Sequence, residues 1–293
     1  MNKLRNIEMS FKGPKSHFVG DGFKVSQYFP YGKNLQERFS PFILLDYNAP
    51  HHFEASDVRR GVGAHPHRGF ETVTIAYDGS VEHHDNRGNH GIIGAGDVQW
   101  MTAGSGVLHK EYHEKEFSKN GGILHMIQLW VNLPKKYKMT EPKYQAITKD
   151  KIETYKLENN EGEIRVIAGE VKGAKGPAST FSKMNIYNVE LKNHGKVTLN
   201  EPGDFNTGLL ILDGEIKING DSIYKKNDFV LFDNMDGDII IESISENSLA
   251  IVLSGEPINE PIVSHGPFVM NTVEEIYEAY EDFKNNKFGT ENF

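Results

Sequence analysis

Two short segments carry the side chains best suited to chemistry: His65-Pro66-His67 and His109-Lys110-Glu111. Along a β-strand successive side chains alternate between faces, so residues two apart point the same way. Each segment would therefore aim two metal-capable groups in one direction. Two such strands side by side would offer imidazole and carboxylate donors to a single ion. Seven of the 13 histidines lie between His65 and His113, a concentration that scattered surface placement seldom produces. A site made of His65, His67, His109 and Glu111 leaves at least one position open on a metal that takes about five or six ligands, and an open position means exchange or catalysis.

A second carboxylate competes for this role. Glu71 follows His67 by four residues and shares its face if the strand is continuous, whereas a bulge at Gly69 would reverse that parity. Spacing alone leaves Glu71 open between ligation and a hydrogen bond to a ligand. His83, His84, His90, His113 and His125 have weaker claims. His84 and His113 lack a partner at matching spacing and are expected at the surface, while His125, in an apolar run, is expected to be a satisfied core histidine. Gln128 and Trp130 share a strand face and are candidates to line a cavity.

The elements that must position these groups read as strands. Thr72-Val73-Thr74-Ile75-Ala76-Tyr77 is β-prone, Asp78-Gly79 gives a turn, and Val81-Glu82-His83 alternates. Gly96-Asp97 leads into Val98-Gln99-Trp100-Met101, and Ile123 to Leu133 forms a further strand closed by Pro134. Upstream, Phe42-Ile43-Leu44-Leu45 lies among breaks at Pro30, Gly32, Pro41 and Pro50. Short strands at regular spacing predict an all-β barrel or sandwich. Leu209 to Ile216 repeats the grammar of Ile75 to Val81, and Asn227 to Phe232 repeats that of Gly96 to Trp100, an internal duplication of the barrel. Matching the turns puts Asn200 and Pro202 where His65 and His67 stand and Ile240 opposite His109, so the second copy lacks the histidines. The expected organisation is a metal-binding barrel over 1–140, a linker over 141–163, and a second barrel without ligands over 164–293. The chain then ends in a helix from residue 272, where Thr272-Val273-Glu274-Glu275 is a capping box. Val273, Ile276, Tyr277, Tyr280 and Phe283 are expected on its docking face.

Composition removes several classes of function. The 293 residues include no cysteine, which rules out disulfides, thiolate zinc sites and iron–sulfur clusters, so a metal must sit on His, Asp or Glu. A net charge of −9 argues against nucleic acid or an anionic membrane as partner. No stretch approaches the roughly 20 apolar residues of a bilayer span, and the start lacks the apolar core of a signal peptide, so a cytoplasmic protein is expected. Gly104-Ser105-Gly106 lacks the form of a nucleophile elbow, and neither a Walker loop nor a dinucleotide fingerprint occurs.

At His65-Pro66-His67-Arg68-Gly69-Phe70-Glu71-Thr72-Val73 the chain resembles the pirin family of the cupin superfamily. Further matches are Gly96-Asp97-Val98-Gln99-Trp100-Met101-Thr102-Ala103-Gly104, Gln128 to Pro134, Gly255 to Pro261, and Gly266-Pro267-Phe268-Val269-Met270-Asn271-Thr272. The resemblance implies two tandem cupin barrels, with iron in the first held by His65, His67, His109 and Glu111. It favours Glu111 over Glu71, which the wider cupin pattern would use. Ser105 and Tyr112 depart from the more usual Arg and Met. Some pirins are similar in activity to quercetin 2,3-dioxygenase, which implies a flavonol-like substrate, O₂, and Fe(II), the same ligands also suiting Mn, Ni, Cu or Zn. Glu111 would then both bind metal and accept the flavonol hydroxyl proton. Other pirins act through protein partners, so the rival expectation is an iron-containing regulatory protein whose binding surface follows the metal's oxidation state.

Overall fold

The computed structural model describes residues 3–30, 35–192, 194–291 and 293; Gly32, read above as a break, lies outside them. The chain divides into two compact units. One comprises 15–37, 42–149 and 258–293, and the other 1–14, 38–41 and 150–257. Each is built from a seven-stranded and a four-stranded antiparallel sheet, as a β-barrel of short alternating strands requires.

In the first barrel the larger sheet runs in the order Lys143–Ile147, Val98–Thr102, Phe70–Asp78, Gly122–Asn132, Phe42–Phe53, Phe23–Phe29, His17–Val19. The smaller sheet runs Gly61–His67, Val107–His113, Ser80–Asp85, His90–Gly94. The second barrel repeats this order strand for strand. Its larger sheet is Ile7–Lys12, Asp228–Phe232, Asn206–Asp213, Asn247–Gly255, Met184–Lys192, Gly162–Ala168, Thr154–Lys156, and its smaller sheet is Lys196–Leu199, Ile239–Ser243, Glu215–Ile218, Ser222–Lys225. The duplication is thus one of topology, and the second barrel holds an apolar cluster in which Val189, Leu209, Ile211, Val230 and Val252 are all at most 1% exposed.

The contacts do not fall along the expected boundaries. The stretch 141–163 is no free linker, because Lys143–Ile147 pairs with Val98–Thr102 in the first barrel and Thr154–Lys156 pairs with Gly162–Ala168 in the second. The alternation is there in Tyr144-Gln145-Ala146-Ile147, but lysines and a proline flank it and hide it. Residues 1–14 group with the second barrel and 258–293 with the first. In the second barrel Ile240 pairs with Thr198, as His109 pairs with His65 in the first, so Thr198 rather than Asn200 is the ladder counterpart of His65. The turn-to-turn match misses this because residues 200–205 join the strands where only Arg68 and Gly69 do so in the first copy.

The helix Val273–Lys284 has its capping box, Thr272 Oγ1 accepting from Glu275 N at 3.2 Å. Its buried residues are Ile276, Ala279 and Asp282, whereas Val273 is 51% and Tyr277 68% exposed. The docking face is therefore rotated from the expected one. Asp282 is drawn inward by Arg68, whose Nη2 donates to its Oδ2 at 2.9 Å, a contact that hydrophobic spacing cannot register. Among the described residues no helix is long and apolar enough to cross a membrane.

Candidate metal centre

The antiparallel ladder between Gly61–His67 and Val107–His113 places His109 directly opposite His65 and Val107 opposite His67. A register shift between His109 and Glu111 adds one residue to the partner strand near Gly63. Such a bulge re-aims the local backbone. Here Gly63 O accepts from His65 Nδ1 at 2.8 Å. Pro267 O takes the same nitrogen of His67 at 3.3 Å. A carbonyl only accepts, so both Nδ1 atoms carry the proton and both Nε2 lone pairs are left for a ligand. The rings of His65, His67 and His109 lie 4.2–4.9 Å apart by centroid, and one donor atom from each falls within 4.8 Å of the others. Glu111 is outside that set of three but lines the same cavity as His65 and His67.

His109 is 1% exposed and among the described residues neither of its ring nitrogens has a partner; Glu111, 8% exposed, has an Oε1 likewise without one. A buried polar atom without a partner costs about 1–3 kcal/mol. Three imidazole donors within 4.8 Å of one another, one of them on a buried ring that lacks partners, form a set that fits a transition metal. Burial lowers the pKa of all three histidines, and in His67 and His109 the neighbouring imidazoles lower it further. All three are thus neutral at physiological pH, the form that ligates. Burial pushes Glu111 up to about 7.

Metal binding should therefore compete chiefly with one proton. In the metal-free protein Glu111 is protonated below about 7, and a cation binds the ionised form, so affinity should fall about tenfold per pH unit below that value and level off above it. Binding isotherms across this range test it, and Glu111→Gln should flatten the dependence. Because the folded value lies above the usual 4.5, this group's contribution to the stability of the metal-free fold is fully present below about 4.5 and is lost as pH rises through about 7.

Glu71 faces elsewhere. The strand breaks at Gly69, whose φ of +89° and whose approach to Val269 O, where an added Cβ would sit 2.0 Å away, admit only glycine. After this break Phe70, Thr72 and Thr74 turn inward, Phe70 stacking on Trp130 and Thr74 donating to Gln128. Glu71, of opposite parity, turns away and accepts from Thr102 Oγ1 at 2.7 Å. His83 points inward behind the site, stacked on Tyr144. Its opposite number in the ladder is Gly91, where a Cβ would meet the imidazole at 2.8 Å. His125 is a satisfied core residue as expected, with Nε2 3.1 Å from Tyr47 Oη. His113, expected at the surface, is fully buried, Nε2 lying 2.8 Å from Gly22 O.

The cavity before the histidines measures about 380 Å³. Val25, Val62, Met126 and Trp130 give it apolar walls, and Gln128 lines it too, as its shared face with Trp130 predicts. Asp46 and Asn48, neither of which spacing singled out, also line it. Asn48 is 2% exposed, and among the described residues neither of its amide atoms nor Oδ1 of Asp46 has a partner; burial raises the Asp46 carboxyl to about 6. Two polar residues in alternation within Leu44-Leu45-Asp46-Tyr47-Asn48 were the available signal.

Comparison with known proteins agrees with this architecture. A family model described as Pirin matches residues 22–131, and one described as Pirin C-terminal cupin domain matches 186–289. A Pseudomonas aeruginosa protein carrying the provisional name quercetin 2,3-dioxygenase is 48% identical over 272 residues, spanning 93% of this chain and 94% of its own. Pirin-1 of Arabidopsis thaliana is 37% identical over 262 residues, 87% of this chain and 86% of its own. The crystal structure of a quercetin 2,3-dioxygenase from Acinetobacter baumannii superposes with a TM-score of 0.94 at 44% identity, covering 98% of this chain and 99% of that one.

Proposed function

This chain belongs to the pirin family, and from that membership we propose that it is a metal-dependent dioxygenase, with iron as its ion and flavonol-like aromatics as substrates. The observation that carries the proposal is the cavity of about 380 Å³ lined by His65, His67 and Glu111. Its volume lies within the range of about 300–1,000 Å³ usual for small-molecule sites. A protein that used its metal only as a switch would need no such space. The relatives named quercetin 2,3-dioxygenase support the same reading.

In this reading His65, His67 and His109 hold the ion and Glu111 completes its ligands. A bound iron would supply the redox chemistry that such an oxygenation needs. Glu111, a buried carboxylate that lines the cavity but stands outside the tight set of three imidazoles, would accept the substrate's hydroxyl proton. Trp130, Met126, Val25 and Val62 enclose the aromatic rings and exclude water. Asp46 and Asn48 receive the substrate's remaining hydroxyls, giving their unpartnered atoms the bonds they lack.

Pure, iron-loaded protein given quercetin should consume O₂ and release carbon monoxide; if it does neither while a known quercetinase does both in parallel, the reading fails. Asn48→Leu should raise KM for hydroxylated flavonols about tenfold, the worth of roughly one hydrogen bond, with metal content unchanged.

A further inference from the structure

The hairpin of Ser80–Asp85 and His90–Gly94 carries a second cluster of donor groups on the face opposite His83. His84 and His90 stand directly across the ladder from each other, their rings 4.3 Å apart, and Glu82 precedes His84 by two residues on the same face. Glu82 Oε1 accepts from His84 Nε2 at 2.8 Å and from His90 Nε2 at 3.1 Å, so both imidazoles turn the same nitrogen to one point. One donor atom from each of the three residues lies within 4.8 Å of the others. Oε2 of Glu82 is taken by Arg59 Nη2 at 2.6 Å, leaving Oε1 to face the histidines.

From this geometry we infer a second transition-metal site, formed by Glu82, His84 and His90 and suited to Zn²⁺. Two imidazole nitrogens and one carboxylate oxygen, with water as the fourth ligand, make a tetrahedral donor set that zinc uses. The side chains of His84 and His90 are 31% and 51% exposed, so the ion enters from solvent and keeps its water. On binding, each imidazole gives its Nε2 lone pair to the metal and carries its proton on Nδ1 instead. The hairpin is already held. Asp85 Oδ1 accepts from the backbone of Arg87 and Asn89, both at 2.9 Å, and Asp85 Oδ2 accepts from Asn89 Nδ2 at 2.6 Å. Ordering the three ligands therefore costs little. Arg59 works against the site, since its charge offsets that of Glu82, and Lys110, the ladder neighbour of His84, adds a further cation. The site is accordingly weaker than the buried one. It does not rest on the oxygenase reading, and its test measures binding alone.

Protein whose buried site has been filled is titrated with Zn²⁺ by calorimetry, and its melting temperature is followed in parallel. A further equivalent should bind and raise the melting temperature, since an ion that binds only the folded state stabilises it. Removing even an outer partner of a metal costs about 10–100-fold in affinity, so His84→Ala and His90→Ala should lower this second affinity by at least about tenfold. Both variants should keep the first equivalent, which also reports that they fold. Glu82→Gln should weaken the second site, and His194→Gln, at an exposed histidine between the strands Met184–Lys192 and Lys196–Leu199 of the other barrel, should leave it unchanged. A wild-type protein that takes up no second equivalent, or one whose second equivalent survives in both histidine variants, would overturn the inference.

Discussion

His109→Ala is expected to abolish metal binding at the proposed buried site and, with it, the proposed oxygenase activity. His109 is the most enclosed of the three clustered histidines, and its ring lies 4.2 Å from that of His65 and 4.9 Å from that of His67. Without it the tight set of three donors is gone, and the loss in metal affinity should exceed the roughly 10–100-fold that outer partners cost. Elemental analysis and O₂ uptake read the two effects. His65→Ala should behave alike, while His84→Ala should keep the buried equivalent. Stability adds a less obvious readout. In the metal-free protein both nitrogens of His109 are buried without partners, at about 1–3 kcal/mol each, and alanine removes that cost while leaving a cavity whose own cost is of similar size. Metal-free His109→Ala should therefore be nearly as stable as the metal-free wild type, with the metal-loaded wild type above both. A variant that keeps its metal would refute the proposed ligand set.

The clustering of His65, His67 and His109 was legible because a period of two is a local property: His65-Pro66-His67 and His109-Lys110-Glu111 declare it within three residues each. What could not be read locally is the register that sets His65 against His109, since a ladder between distant strands depends on loops and bulges along the way. Glu71 shows the same limit. Its parity hinged on Gly69, and only the backbone break there turns it from the cavity. His84 appeared partnerless for a related reason, because the residue facing it, His90, comes from the other arm of a hairpin. The second barrel was visible through its Asp-Gly turns, while its loop over 200–205 shifted the counterpart of His65 to Thr198. The helix face failed where an ion pair overrode apolar spacing, burying Asp282 and exposing Tyr277. Lys138 left no trace at all, being one lysine in a lysine-rich stretch.

Yet Lys138 is where a substitution remote from the ligands should do the most damage to the fold. It is 1% exposed, and its Nζ donates to Gly69 O at 2.8 Å, to Asn132 Oδ1 at 2.7 Å and to Val269 O at 2.9 Å. Burial pulls its pKa down, but a neutral amine has too few N–H bonds for three acceptors, so the ammonium is the form that satisfies the site. Lys138→Met keeps the methylene packing and removes the donors, stranding three buried oxygens. At about 1–3 kcal/mol per unsatisfied group, a loss of at least about 3 kcal/mol is expected by chemical denaturation. The damage should also reach the metal. Gly69 lies two residues beyond His67, and Val269 two beyond Pro267, whose carbonyl holds His67 Nδ1. Freeing both segments loosens the hydrogen bond that orients that imidazole, so metal affinity should fall along with stability although every proposed ligand is intact. A Lys138→Met protein within about 0.5 kcal/mol of the wild type, the range of an ordinary surface change, would show that the three carbonyls find other donors.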